Sequence, residues 1–440
     1  MTTNERVGRR RSGRGPRASL RAGAVFTAVG LLAVACGKDV GLNSSANAAE
    51  VKADISRDQI GADQSAAAVT ATNALAADLY RKLATGDANL VFSPYSIEIA
   101  LAMTRNGAKG ETRTQMDKVT HADAGDLNRS LNALDAVLSS RNGERGTAGR
   151  QGKVVLENAN ALWGQQDFTF EQVFLAELAR DYGAGMQVVD YKKNAEAARV
   201  LINNWAAART HDKIKDLIPE GVLDSLTRLV LSNAIYFKAP WAEKYEALGD
   251  KAFTKVDGST VSVPTMTGGE GGSYGEGSGW KAASLPYLGN EMSMVVIEPD
   301  DLKSFEATLD GPKLAGIVSG LHDHLINAQL PKFTFRRSVS LEDQLSALGM
   351  PLAFSDQADF SGISTQQRLQ IAAVIHQAFI AVDEEGTEAA AATAVVIRAV
   401  SAPVGKTIVV DRPFLFAIKD NQTGAVLFLG RVTDPLATGV

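Results

Sequence analysis

Asp383-Glu384-Glu385-Gly386-Thr387-Glu388-Ala389-Ala390-Ala391-Ala392-Thr393-Ala394-Val395-Val396-Ile397 is composed to become a strand without being committed to one. Read with a strand's period of two, one face carries Thr387, Ala389, Ala391, Thr393 and Val395, all small enough to slip between strands already in place. The other face carries Glu388, Ala390, Ala392, Ala394 and Val396, and Gly386 ahead of both supplies a joint free of the usual limits on φ. The same composition also suits an Ala-rich helix capped by Thr387, since alanine is the best helix former. The β-branched end, Thr393 with Val395-Val396-Ile397, leans away from helix.

Working outward, four further blocks fix the context. Asn89-Leu90-Val91-Phe92-Ser93-Pro94-Tyr95-Ser96-Ile97 runs on to Asn106-Gly107-Ala108, and Ser93 as N-cap with Pro94 at the first helical position predicts a helix start there. Leu231-Ser232-Asn233-Ala234-Ile235-Tyr236-Phe237-Lys238-Ala239-Pro240-Trp241 is the second block. Leu330-Pro331-Lys332-Phe333-Thr334-Phe335 leads on to Leu348-Gly349-Met350 and Ala358-Asp359-Phe360-Ser361-Gly362 as the third, and Asp411-Arg412-Pro413-Phe414-Leu415-Phe416 with Leu427-Phe428-Leu429-Gly430-Arg431-Val432 is the fourth. Taken in order, these blocks strongly resemble the serpins over roughly residues 70 to 436: the second is similar to that family's central strand and the turn after it, the fourth resembles its terminal hairpin, and the opening run resembles its hinge and reactive-centre loop.

Hydrophobic residues at 45% and charged residues at 22% of 440 suit a chain that buries a large core. No low-complexity linker divides residues 68–440, which read as one domain. Residues 1–36 read as an export signal: Arg6, Arg9, Arg10, Arg11, Arg14, Arg17 and Arg21 precede an apolar run, Ala22 to Ala35, too short for a comfortable membrane span. Its end, Leu31-Leu32-Ala33-Val34-Ala35-Cys36-Gly37, resembles a bacterial lipobox with Cys36, the sole cysteine, as lipid acceptor. Ala33-Val34-Ala35 would also serve as an ordinary cleavage site of a secreted protein. Either way the chain is expected at or beyond the bacterial cell envelope, periplasmic or on the surface. Residues 37–67, polar and Ala-rich, are expected to be a disordered tether.

With Cys36 in the leader, no disulfide is available inside the domain. Without the seven arginines and one glutamate of residues 1–35, the net charge moves from −5 to −11. That argues against nucleic acid and heparin-like partners.

Catalytic and metal motifs do not survive inspection. Gly271-Gly272-Ser273-Tyr274-Gly275 matches G-x-S-x-G, but the elbow needs a strand before the serine and a helix after it. No helix survives the glycines that surround Ser273, which predicts a flexible loop. His322-Asp323-His324 lacks a third ligand at helical spacing and reads as a solvated loop.

The resemblance implies an α+β serpin fold: a large central, mostly antiparallel sheet, further sheets, eight to nine helices and an exposed reactive-centre loop. It implies an inhibitor, not an enzyme, needing no cofactor and no metal. Its partner is a serine protease that attacks the loop and is trapped as an acyl-enzyme when the cut arm inserts into the main sheet. The hinge spans Glu384, Glu385, Gly386, Thr387, Glu388, Ala389, Ala390, Ala391 and Ala392, with Thr387 entering first after the cut. Family spacing sets the reactive bond at Val400-Ser401, a small aliphatic residue suited to elastase-like pockets, with Arg398 as the trypsin-like rival. Ser93, Ser96, Asn233 and His376 resemble the polar cluster beneath the point where the sheet opens, and Trp241 the tryptophan above it. Read alone, Ser93 is equally a helix cap, His376 a core histidine and Trp241 a core aromatic. An ion pair between Glu384 and Lys332 is implied at the top of the sheet. The inhibitor is expected to be a monomer able to form loop–sheet polymers, tethered to membrane through its lipid.

Overall fold

The computed structural model of the chain describes residues 48–122, 126–147, 149–269, 271–388 and 405–439. The proposed leader 1–36, Cys36 included, lies outside the described residues. Nine α-helices are present among them: α1 (Ala66–Leu83), α2 (Pro94–Arg105), α3 (Gly110–Val119), α4 (Leu127–Ser139), α5 (Gln172–Glu177), α6 (Tyr191–Arg209), α7 (Leu302–Ala307), α8 (Gly311–Ser319) and α9 (Glu342–Leu348). α2 starts as its sequence demands, with Pro94 at its first position and the Ser93 hydroxyl accepting from the Ser96 amide at 3.2 Å.

The principal sheet contains β1 (Ala49–Val51), β2 (Gly143–Thr147), β3 (Arg150–Gln165), β4 (Met186–Val189), β5 (Leu229–Pro240), β6 (Phe333–Ser340), β7 (Ala373–Asp383) and β8 (Gly386–Thr387). Its order is β1-β4-β3-β5-β8-β7-β6, with β2 folded back on β3. Most pairings are antiparallel, but the two central long strands β5 and β7 are parallel and pair directly only over Val230–Ile235 and Ala373–Ala378. Above that they fork, and β8 occupies the mouth of the fork. The β5 row Leu231, Ile235, Phe237 and Ala239 belongs to the main core, whereas Val230 and Ala234 pack in a second cluster with Ala198 and Ile202 of α6. That division is the period-two alternation of a sheet covered on both sides.

A seven-stranded sheet runs His322–His324, Gly272–Gly277, Trp280–Pro286, Met292–Pro299, Phe414–Asp420, Val426–Val432 and Leu90–Phe92. A four-stranded sheet runs Lys406–Val409, Ile326–Pro331, Thr260–Gly268 and Tyr245–Thr254. The fold is α+β with a large, mostly antiparallel sheet, as the sequence implies.

Two expectations are corrected here. Ser273 and the His322-Asp323-His324 segment are strands, not loops: their backbones pair with each other, and the Ser273 hydroxyl donates to Asp323 at 3.1 Å. Residues 48–67 are not a disordered tether. β1 adds to the margin of β4, Ala62–Gln64 forms a 3-10 turn, and Arg57 donates to Asn132 at 3.0 Å and to Asp135 at 2.6 Å on α4. Polar composition suggested solvent; the arm instead pairs its polar groups on the domain, and residues 37–47 lie outside the described residues.

Candidate functional site: the hinge and the fork in the sheet

Gly386 and Thr387 are already strand. Gly386 faces Pro240 on β5 and Asp383 on β7; Thr387 faces Ala239 and Val382. Gly386 has φ +153°, and a Cβ there would lie 2.2 Å from the Ala239 carbonyl oxygen, so no other residue fits between the two strands. Thr387 is 2% exposed, and its hydroxyl shares a 2.5 Å hydrogen bond with the Tyr287 hydroxyl. The expectation that Thr387 enters only after a cut is therefore corrected: in the intact chain it is seated, because the fork leaves ladder groups that two residues can satisfy.

Trp241 covers this joint. Its ring stacks on Tyr287 at 4.7 Å and 6°, its Nε1–H donates to the Asp383 carbonyl at 2.8 Å, and its amide donates to Glu385 at 3.0 Å. Lys332 and Glu384 form the implied ion pair at 3.1 Å, and Arg150 lies 3.7 Å from Glu385. The strand ends before Glu388, whose φ is +49°. Its carboxylate meets Lys213 at 2.8 Å and accepts from the Tyr236 hydroxyl at 3.3 Å, while its amide donates to Ala381 at 2.8 Å. The other hinge residues Ala389, Ala390, Ala391 and Ala392, the bond Val400-Ser401 and the rival Arg398 lie outside the described residues.

Below the fork, where β5 and β7 pair directly, the structure brings together the four polar residues that chain spacing left unconnected. Ser93, Ser96, Asn233 and His376 are all 0% exposed. The Ser93 amide donates to His376 Nε2 at 2.9 Å, so the ring hydrogen of the neutral imidazole sits on Nδ1, and burial lowers the His376 pKa to about 3. The Ser96 hydroxyl donates to Asn160 Oδ1 at 2.6 Å. Asn160, Asn233 and His376 are register neighbours across β3, β5 and β7. Neither side-chain polar atom of Asn233 has a protein partner among the described residues, nor do His376 Nδ1 and Asn160 Nδ2. Buried polar atoms rarely go unpaired, and each costs free energy.

Sequence reasoning missed Asn160, Tyr287, Tyr236 and Lys213. Asn160 left a trace, as a polar residue inside the strand-like run Val154 to Trp163; the other three carry no local signal.

The chain matches a family model described as Serpin (serine protease inhibitor) over residues 70–435. It is 38% identical to an uncharacterized serpin-like protein of Thermococcus kodakarensis, covering 83% of this chain and 85% of that one. It is 33% identical to the leukocyte elastase inhibitor of Homo sapiens, covering 83% and 99% of the two chains. Among solved structures, the thermophilic serpin tengpin in its native state matches with TM-score 0.78 and 32% identity, covering 88% of this chain and 100% of that one. Uncleaved ovalbumin matches with TM-score 0.73 and 27% identity, over 84% and 100%. A seated hinge, a forked central sheet and these likenesses over most of both chains lead to one conclusion: the chain belongs to the serpin family.

Proposed function

We propose that this protein is an irreversible suicide-substrate inhibitor of serine proteases, elastase-like ones first, that is exported and lipid-anchored at the cell envelope through Cys36. The observation that carries the reading is β8: two hinge residues already occupy the fork, and the residues that follow on the same face are small. The protease supplies the chemistry. Its serine attacks the carbonyl carbon of Val400 and the Val400–Ser401 bond breaks, leaving an ester to the enzyme and a free amine on Ser401. The freed arm then inserts before water can hydrolyse that ester.

The driving force has a local origin. Parallel pairing is somewhat weaker than antiparallel, and β5 and β7 are parallel neighbours. A strand running the other way between them replaces one parallel ladder by two antiparallel ones. β5 offers Leu229–Pro240 as a template, and a run of about 15 residues at roughly 3.3 Å each spans about 50 Å. A protease carried that far is distorted against the domain, and its oxyanion hole cannot complete deacylation.

Elastase-like preference rests on Val400 and on likeness to the leukocyte elastase inhibitors. Cutting after Arg398 by a trypsin-like enzyme would shorten the arm by two residues and favour release. Incubation with elastase-, trypsin-, chymotrypsin- and subtilisin-like enzymes tests the reading: an SDS-resistant adduct with elastase, and a released fragment that begins at Ser401 by mass, are expected. Clipping without adduct by every enzyme, or no cutting at all, overturns it in favour of a non-inhibitory binding or structural role.

A further inference from the structure

A strip of exposed side chains stands beside the point where the loop rejoins the domain. The strand Lys406–Val409 forms one margin of the four-stranded sheet and pairs in parallel with Ile326–Pro331, Asn327 facing Thr407 and Gln329 facing Val409. Just ahead of it, Gly405 lies flat on Leu325: the Lys406 amide donates to the Leu325 carbonyl at 2.8 Å, and a Cβ on Gly405 would lie 2.7 Å from that oxygen. Alternation along the two strands sorts their side chains. Ile326, Ala328 and Ile408 are buried on the inner face, whereas Leu325, Asn327, Thr407 and Val409 are exposed on the outer one. Leu325 is 43% and Val409 37% exposed. Lys406 belongs to the inner side, its ammonium 4.9 Å from the centre of the Tyr274 ring and 4.0 Å from a Glu276 carboxylate oxygen. The outer strip is therefore uncharged, two aliphatic side chains set among polar ones, on a chain of net negative charge.

Chain length says what this strip meets. Ser401 precedes Gly405 by four residues, and four residues span at most about 14 Å. An enzyme that cuts Val400-Ser401 is held within that reach of Gly405 and of the Leu325 backbone beneath it. A catalytic domain of about 200 residues has a radius of gyration of about 16 Å, so a body of that size seated on the bond reaches the strands at which the loop ends. Aliphatic side chains ringed by polar ones and free of charge are what protein interfaces bury at their centres. Resting on the inhibitor reading above, we infer that Leu325, Asn327, Thr407 and Val409 form a second contact surface for the target protease, separate from the residues it cleaves. The partner it fits is a serine protease whose surface on the leaving-group side of the active site is apolar and uncharged. None of the four residues lies in β5, β7 or β8, and the contact is broken once the arm carries the enzyme away. The surface thus governs how fast the enzyme is captured, not how the arm inserts.

The test measures the second-order rate of SDS-resistant adduct formation with pancreatic elastase for the full chain and for Leu325→Glu, Val409→Glu, Leu325→Met and Leu226→Glu. Leu226 is 77% exposed just ahead of β5, at the end of that strand far from the hinge, and controls for an added charge. Leu325→Glu and Val409→Glu should each lower the rate by about five- to tenfold. Their intact Tm, their gain in Tm on clipping and the moles of inhibitor consumed per mole of enzyme should match wild type, because the substituted side chains are exposed and outside the fork. Leu325→Met and Leu226→Glu should stay within about twofold of wild type. Equal rates in all five proteins, with adduct formed, overturn the contact surface and leave inhibition standing; so does an equal fall in Leu226→Glu. Failure of the wild type to form adduct overturns the inhibitor reading and this inference with it.

Discussion

Glu98 stands in α2 one turn past its cap, 0% exposed, with neither carboxyl oxygen partnered among the described residues. Burial, opposed by the nearby Arg105 guanidinium, holds its pKa well above the ordinary carboxyl range. The unfolded chain releases this proton near pH 4 while the folded chain keeps it. Between those two pKa values the folded state binds the extra proton, so stability falls as pH rises. Glu98→Met should therefore raise stability by about 1–3 kcal/mol at pH 8 and by much less at pH 5, read from urea midpoints. An unchanged difference between the two pH values would show that the carboxyl finds a partner. At this scale the sequence was legible where the interaction is local. Ser93 is a cap because its partner is three residues away. His376 meets Ser93 across 283 residues, and only the family resemblance joined them.

The hinge is where element and sequence part company. Alternating small residues make a credible strand, yet they equally suit a helix, and nothing local says that two of them are seated before any cut. What decides it is β5 and β7, whose pairing leaves the mouth of the fork open. The amino-terminal arm was misread for the same reason: β1 is three residues long and exists through its pairing to β4, far along the chain. Thr387→Arg tests the element directly. An arginine cannot occupy a 2% exposed position against Tyr287 without leaving a charge buried and unpaired. The variant should be cleaved by the target enzyme at least as fast as wild type, with little SDS-resistant adduct. Inhibition at wild-type stoichiometry would mean that entry at this position is not needed.

On the scale of the whole molecule, His376 links pH to the closure of the sheet. Its folded pKa of about 3 lies below the ordinary histidine value of 6.5. Between these the unfolded chain binds more protons, so stability rises with pH and is lost as pH falls through the window. The physical cause is that protonating Nε2 would remove the acceptor for the Ser93 amide and put a charge in a sealed site. Lowering pH from 7 to 4.5 should cost about 2–3 kcal/mol through this residue. His376→Gln should flatten that part of the pH dependence in urea midpoints, and an unchanged slope would refute the link. The α+β architecture and the order of its blocks were readable from sequence because long strands and capped helices are local patterns. The parallel central pair, which leaves the mouth of the fork to β8, was not, since strand direction depends on the path of the chain between them.

Both outer margins of the principal sheet are blunted by short stretches of the same chain. On one flank β1 is too short to offer a stranger much of a ladder; on the other, the Arg336 amide donates to the Thr438 carbonyl, and Gly439 lies against the Arg336 carbonyl oxygen with no room for a side chain. Recruitment of a foreign strand from the side is thereby discouraged. On the insertion mechanism proposed above, the place for one more strand lies inside the sheet, where a segment tethered to the same molecule has the advantage of proximity over any competitor in solution.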